Sequence, residues 1–318
     1  MKIKGISYFR DAEKANAFLE DWATRVQQLN SSWYETMIIH NSLGKTRVWA
    51  YNTEYKDKEA IVIFSGSTTS SLFWDFDNNL ASLKEKYRLY LVETNGGPNL
   101  SEGNSPDIKT QGYGIWATEV LNKLSISRAT IMGASFGAIV CMKLCQISPS
   151  MVSKVILMNP AGIGEHSLSV ANLYYSNLAT LLKTVSSVQK FIDKIILHPP
   201  NHSLSEPFMQ LLNEYKLFVI RNFINQADYP QPLKPDELNQ IKSEVYLLLG
   251  GNDKVLSYKK AIASAKKHIG TIADIKIFDA TGHGIEISKE AIKYIERVLE
   301  VQQSTVGALW KEKAGFIH

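Results

Sequence analysis

Short runs of Val, Ile, Leu and aromatic residues recur along this chain, most of them separated by segments of helical period. They are AIVIFS (Ala60 to Ser65), RLYLVE (Arg88 to Glu93), ATIM (Ala129 to Met132), KVILMN (Lys154 to Asn159), VYLLL (Val245 to Leu249) and DIKIF (Asp274 to Phe278). Runs this short and this apolar suit strands covered on both faces, and helical segments between them provide the crossovers that parallel neighbours need. Two earlier runs, WYETMIIH (Trp33 to His40) and TRVWAYN (Thr46 to Asn52), are joined by the short connection NSLGK and read as an antiparallel pair. The pattern predicts an α/β fold with a mostly parallel sheet of about eight strands and helices on both faces. A helix over DAEKANAFLEDWATRVQQL precedes the sheet.

The alternation stops between about Gly162 and Ile241, where the sequence reads as helices alone, among them VANLYYSNLATLLKTVSSVQKFIDKIIL and PFMQLLNEYKLFVIRNFINQ. His198-Pro199-Pro200 and Tyr229-Pro230-Gln231-Pro232 punctuate it, because proline cannot continue a helix interior. The predicted organisation is therefore a core domain of residues 1–161 and 242–318, with a helical lid of residues 162–241 inserted after the sixth strand.

The sharpest local motif is Gly133-Ala134-Ser135-Phe136-Gly137, which follows the strand ATIM and opens the helix SFGAIVCMKLCQI. A tight strand-to-helix turn holds a serine in a strained conformation, and glycines flank it because a Cβ there would strike neighbouring backbone. The hydroxyl then sits at a helix N-terminus, where N–H groups and the helix dipole favour negative charge on an attached substrate oxygen. Serine is a weak nucleophile, so it needs a base and a group that orients the base. Asp253, after the strand run in LLLGGNDKV, and His283, in TGHG after the last strand, both fall at carboxyl ends of predicted parallel strands. Asp279 is the remaining rival acid, and Asn159, at the exit of KVILMN, cannot supply a charge. The other histidines, His40, His166, His198, His202, His268 and His318, read as structural or solvated. The loop Ser65-Gly66-Ser67-Thr68-Thr69-Ser70-Ser71 follows the strand AIVIF, and the backbone N–H groups of Ser67 and Phe136 are expected to converge on the substrate oxyanion.

Composition narrows the function further. The 318 residues carry 35 basic and 31 acidic side chains, scattered rather than massed, which argues against nucleic acid as a partner. No apolar stretch is long enough for a membrane helix, and MKIKGISYFRDAEKA lacks the apolar core of a signal peptide, so a soluble cytoplasmic protein is expected. The two cysteines, Cys141 and Cys145, fall on one face of a predicted helix and read as buried filler in a reducing compartment, not as a metal or redox site.

From about Trp33 to Val301 the sequence resembles the α/β-hydrolase superfamily, in its capped, serine-nucleophile branch. SGSTTSSLFW is similar to that family's oxyanion loop with Ser65 in place of a histidine, LSISRATIMGASFGA to its strand and elbow, LLLGGNDKV to its acid loop and TGHG to its histidine loop. The resemblance implies acyl-enzyme chemistry with Ser135 as nucleophile, His283 as base and Asp253 as orienting acid, without cofactor or metal. Ser65 in the histidine's place implies a looser oxyanion loop, and LVETNGGPNLSEGNSP departs from the family pattern, with Glu93 and Thr94 near the usual aspartate position. A small, fairly apolar ester or acyl substrate is expected. Trp74 and lid residues Leu173, Tyr174, Tyr175, Phe208, Leu211, Leu212, Phe218 and Phe223 are candidates to line or support its pocket. Carbon–carbon bond hydrolysis, acyl transfer, or ligand sensing without turnover would use the same residues. Oligomeric state has no signal in the sequence.

Overall fold

The computed structural model describes residues 7–164, 169–200, 202–226, 228 and 230–300. His166, Tyr229 and His318 lie outside the described residues, as does the tail from Val301. The main strands are β1 (Glu35–Asn41), β2 (Gly44–Tyr51), β3 (Ala60–Phe64), β4 (Arg88–Val92), β5 (Ala129–Ala134), β6 (Val152–Met158), β7 (Glu244–Gly250) and β8 (Ile272–Phe278). They form one sheet in the order β8-β7-β6-β5-β3-β4-β2-β1, with β2 antiparallel to both neighbours and all pairings from β4 to β8 parallel. The two residues Glu102–Gly103 add a short pairing to β2.

The strand sequences account for the layering. Along β3, Ala60, Val62 and Phe64 point into one apolar cluster, whereas Ile61 and Ile63 point into another on the opposite face. The first cluster is covered by the helices Gly112–Lys123, Phe136–Ile147 and Tyr258–His268. The second is covered by the helices Ala12–Leu29 and Glu206–Asn222 and by the helix over 289–300. With both faces covered, every side chain of β3 must be apolar, which is why that run shows no alternation. Cys141 and Cys145 are buried in the first cluster, and burial pushes the Cys145 thiol up to about 12, a protonated and unreactive state.

The chain leaves β3 for β4 on one side and then crosses back to β5 on the other side of β3. The loops after β3 and β5 therefore diverge at the carboxyl edge of the sheet, where α/β folds open a crevice. Both predicted oxyanion segments, around Ser67 and around Ser135, are those two loops.

Between β6 and β7 the chain is mainly helical: Val170–Leu182, Val185–Phe191 with an added π turn Ile192–Ile196, Glu206–Asn222 and Pro235–Asn239. The long helical pattern of the sequence is broken at Lys183, which is left-handed at φ 51°, and restarts at Thr184, whose hydroxyl accepts from Ser187 N in a capping box. The segment is not helix alone. Phe223–Ile224 pairs antiparallel with Tyr8–Phe9, partners 214 and 216 residues apart that two-residue segments could not signal. No helix among the described residues is long and apolar enough to cross a membrane.

Candidate active site

Ser135 caps the helix Phe136–Ile147 with φ 51° and ψ −114°, a backbone conformation that costs energy for a residue with a Cβ. Neighbouring backbone pins it there. Ser135 N donates to Met158 O at 2.9 Å, while the Ser135 carbonyl accepts from Ala161 N at 3.1 Å and Ala138 N at 3.2 Å. The flanking glycines are sterically required: a Cβ on Gly133 would lie 2.3 Å from the Gly137 carbonyl carbon, and one on Gly137 would lie 2.4 Å from Phe64 O. Gly137→Ala should therefore destabilise the protein by about 2 kcal/mol through overpacking against rigid backbone. Its urea midpoint measures this, and a midpoint equal to wild type would show that the elbow has slack.

The structure brings Ser135, Asp253 and His283 together. His283 Nε2 stands 3.1 Å from Ser135 Oγ, and His283 Nδ1 stands 2.8 Å from Asp253 Oδ2. The other carboxylate oxygen, Asp253 Oδ1, accepts from Val255 N at 2.7 Å and Leu256 N at 3.0 Å, so the acid is fixed by its own loop before it meets the imidazole. Burial alone would push His283 down, but the charge and hydrogen bond of Asp253, helped by Glu286, outweigh it and hold the imidazole above its ordinary value. Asp279, the rival acid, is exposed and away from this chain of contacts. Of the remaining described histidines, none lines the cavity. His202 is buried, accepts from Gly282 N at 3.4 Å, and is pushed down to about 4 by burial, which keeps it neutral.

Asn159 has a part that its inability to carry charge concealed. Its Nδ2 donates to Gly282 O at 2.9 Å and His283 O at 3.0 Å, and its Oδ1 accepts from Gly250 N at 2.7 Å. One side chain thus ties the end of β7, which leads to Asp253, to the loop that carries His283. The signal available in the sequence was a polar residue at a strand exit on the same sheet edge.

Among the described residues, neither Ser67 N nor Phe136 N donates to a protein acceptor, and both residues line the cavity above Ser135. The loop that carries Ser67 is well tied, contrary to the looseness that replacement of a histidine by Ser65 implied. Ser65 Oγ accepts from Thr94 N at 3.0 Å, and buried Glu93 accepts from Trp49 Nε1 at 3.0 Å and Ser71 N at 3.1 Å, with Ser70 Oγ as a further donor. Burial raises the Glu93 carboxyl and these donors counter it in part. The divergent Glu93-Thr94 segment has taken over the fastening.

The cavity above Ser135 measures about 580 Å³. Phe73, Ile196, Leu212, Val219, Ile220 and Ile287 make much of its wall apolar. Of the lid candidates, Leu173 and Leu212 reach it, but Trp74, Tyr174, Tyr175, Phe208 and Phe218 do not line it. Trp74 is buried in the core, Phe208 packs on Phe76 at 5.1 Å between ring centroids, and Phe218 stacks on Phe18 at 3.9 Å. Tyr174 is 59% exposed and meets Tyr175 edge-on. For Tyr174 and Tyr175 the reason is the way their own helix faces. Val170–Leu182 turns Asn172, Ser176 and Thr180, spaced four apart, to the cavity, and leaves Val170, Tyr174, Leu181 and Leu182 exposed on the other side.

No family model matches the chain. A curated relative, the 2-hydroxy-6-oxononadienedioate/2-hydroxy-6-oxononatrienedioate hydrolase of Pseudomonas sp, is 31% identical over 108 residues; the match spans 33% of this chain and only 38% of that protein's length. Among solved structures, carboxylesterase CesB from Bacillus subtilis is similar with a TM-score of 0.74 and 20% identity, over 90% of this chain and 97% of that one. Naproxen esterase (carboxylesterase NP) from Bacillus subtilis gives 0.71 and 22%, over 90% and 98%. Together with the strand order and the strained strand–serine–helix turn, these likenesses place the chain among proteins of the α/β-hydrolase fold.

Proposed function

We propose that this chain is a serine hydrolase that cleaves a carboxylic ester or related acyl bond of a small molecule through an acyl-enzyme. The observation that carries this reading is His283, which bridges Ser135 Oγ at 3.1 Å and the buried Asp253 carboxylate at 2.8 Å on the floor of a cavity large enough for a small ligand. Ser135 Oγ attacks the substrate carbonyl and passes its proton to His283 Nε2, while Asp253 holds the imidazole and stabilises its charged form. The carbonyl oxygen becomes an oxyanion that accepts from Ser67 N and Phe136 N, each donor of this kind being worth about 3 kcal/mol in the transition state. His283 returns the proton to the leaving alcohol. Water, deprotonated by the same imidazole, then attacks the acyl carbon and releases the acid.

Residues 162–241 act in this reading as a cap on the core of residues 1–161 and 242–318, roofing the cavity so that the acyl-enzyme forms away from bulk water. The apolar wall suits a short acyl chain. Carbon–carbon bond hydrolysis of a ketone by the same three groups is a second reading, favoured by the curated relative, whose name specifies a 6-oxo dioate as its substrate.

Steady-state hydrolysis of nitrophenyl esters of graded acyl length tests the proposal, with fluorophosphonate labelling of Ser135 as a parallel measure. Multiple turnovers and stoichiometric labelling are expected. Labelling without turnover would transfer the weight to a ketone substrate, and absence of both would remove the hydrolase reading.

A further inference from the structure

Lys216 has no task in the reaction above, yet the fold places its ammonium group in the cavity. It belongs to the helix Glu206–Asn222, lines the cavity wall and is only 8% exposed. Among the described residues its Nζ has one hydrogen-bond acceptor, Thr68 O at 3.0 Å, and no ion-pair partner; the Phe73 ring lies 5.5 Å away. An ammonium has three donors, so most of its hydrogen-bonding capacity remains unmet by these contacts. Burial draws Lys216 down to about 8 and Glu286 opposes this, so the group is still largely charged at neutral pH.

Burying an ammonium with no ion pair in contact is expensive, the charge of Glu286 offsets that only in part, and a structural link to one carbonyl does not need a cation. The other carboxyl groups on the cavity wall do not pair with it. Asp228 pairs with Lys109 at 3.0 Å, and Glu286, whose carboxyl is itself raised by burial, makes no ion pair with Lys216. The Thr68 contact also fixes where the charge stands, because Thr68 follows Ser67, the expected oxyanion donor. The helix Val170–Leu182 gives the same cavity Asn172, Ser176, Asn177 and Thr180 beside Leu173 and Ala179, so polar groups as well as Lys216 are available to the polar end of a ligand.

We propose that the acyl substrate carries a carboxylate, and that Lys216 pairs with it inside the cavity. This rests on the hydrolase reading and narrows it to esters whose apolar chain ends in an acid. The charge-assisted bond formed on binding supplies the contact ion pair that Glu286 does not make, and the Thr68 carbonyl keeps the ammonium aimed at the substrate.

The test compares 4-nitrophenyl hydrogen adipate with 4-nitrophenyl hexanoate, which share a leaving group and a six-carbon acyl chain, after spontaneous hydrolysis is subtracted. Wild type should favour the adipate by about tenfold or more in kcat/KM, mainly through KM. Lys216→Met should erase that preference while its thermal midpoint shows that it folds, and Lys216→Arg should retain most of it. Equal or poorer use of the adipate by wild type, or a preference unchanged in Lys216→Met, would overturn the proposal. Calorimetric binding of adipate to Ser135→Ala, weakened about tenfold or more by adding Lys216→Met, reads the same site without turnover. Failure of Ser135 labelling would count against the hydrolase reading, whereas adipate that binds no better with Lys216 than without it would count against the carboxylate subsite.

Discussion

Ser135→Ala should lower kcat/KM for nitrophenyl esters by about 10⁴-fold or more while leaving the protein folded. The size follows from what is removed. Among the described residues Ser135 Oγ has a single side-chain partner, His283 Nε2 at 3.1 Å, so its loss deletes the proposed nucleophile without breaking a structural network. The Cβ remains, and with it the strained φ of 51°, which the backbone bonds to Met158 O and from Ala161 N impose whatever the side chain. Stability should accordingly stay within about 0.5 kcal/mol of wild type, as for a substitution that opens no sizeable cavity and strands no buried charge. Residual activity would come from the oxyanion donors and from binding, which an alanine leaves intact. Steady-state turnover and fluorophosphonate labelling check both statements. A loss smaller than tenfold would mean that Ser135 is not the nucleophile.

How far the sequence alone reached is explained by the range over which each feature is determined. The five inner strands β3 to β7 fall on the apolar runs, because a strand covered on both faces must be apolar along most of its length, and that constraint is local. The meeting of Ser135, Asp253 and His283 was legible for a similar reason. Each lies just beyond a strand of one parallel sheet, and the carboxyl ends of those strands must share an edge. The cavity wall was legible at Leu173 and Leu212 but not at the other candidates. Helical periodicity shows that Val170–Leu182 has apolar positions but does not say which way tertiary packing turns them, and here Leu173 and Ala179 meet the cavity while Val170, Tyr174, Leu181 and Leu182 are directed outward. Phe208 and Phe218 were diverted to partners far away in sequence, Phe76 and Phe18. The roles of Asn159, Glu93 and Lys216 went unread because they lie in partners 22 to 148 residues distant, such as Ser71 for Glu93, Gly282 for Asn159 and Thr68 for Lys216, which no local pattern announces.

Replacing the proposed acid, Asp253, offers a sharper examination of the site than deleting the proposed nucleophile, because it changes charge and proton placement with almost no change in shape. Asp253→Asn should lower kcat by about 10⁴-fold at neutral pH, as expected when an imidazole is held in the wrong tautomer. The Asn Oδ1 can still accept from Val255 N and Leu256 N, so the loop keeps its geometry. Its Nδ2, standing where the second carboxylate oxygen stood, donates to His283 Nδ1. The neutral ring must then carry its proton on Nε2, pointing at Ser135 Oγ, and can no longer take the serine's proton. The pH profile supplies an independent signature. Asp253 is the main group that raises His283, so in the variant the acid limb of the residual kcat/KM should move to lower pH. Stability follows the same linkage. A histidine whose value is raised by folding binds its proton more tightly in the native state, so its contribution is fully present below the unfolded-state value and fades as pH climbs through the folded-state value. Asp253→Asn removes that contribution, and its deficit in urea midpoint relative to wild type should be larger on the acid side of this range than above it. An acid limb shared by wild type and variant, with a deficit independent of pH, would mean that Asp253 does not govern the His283 proton.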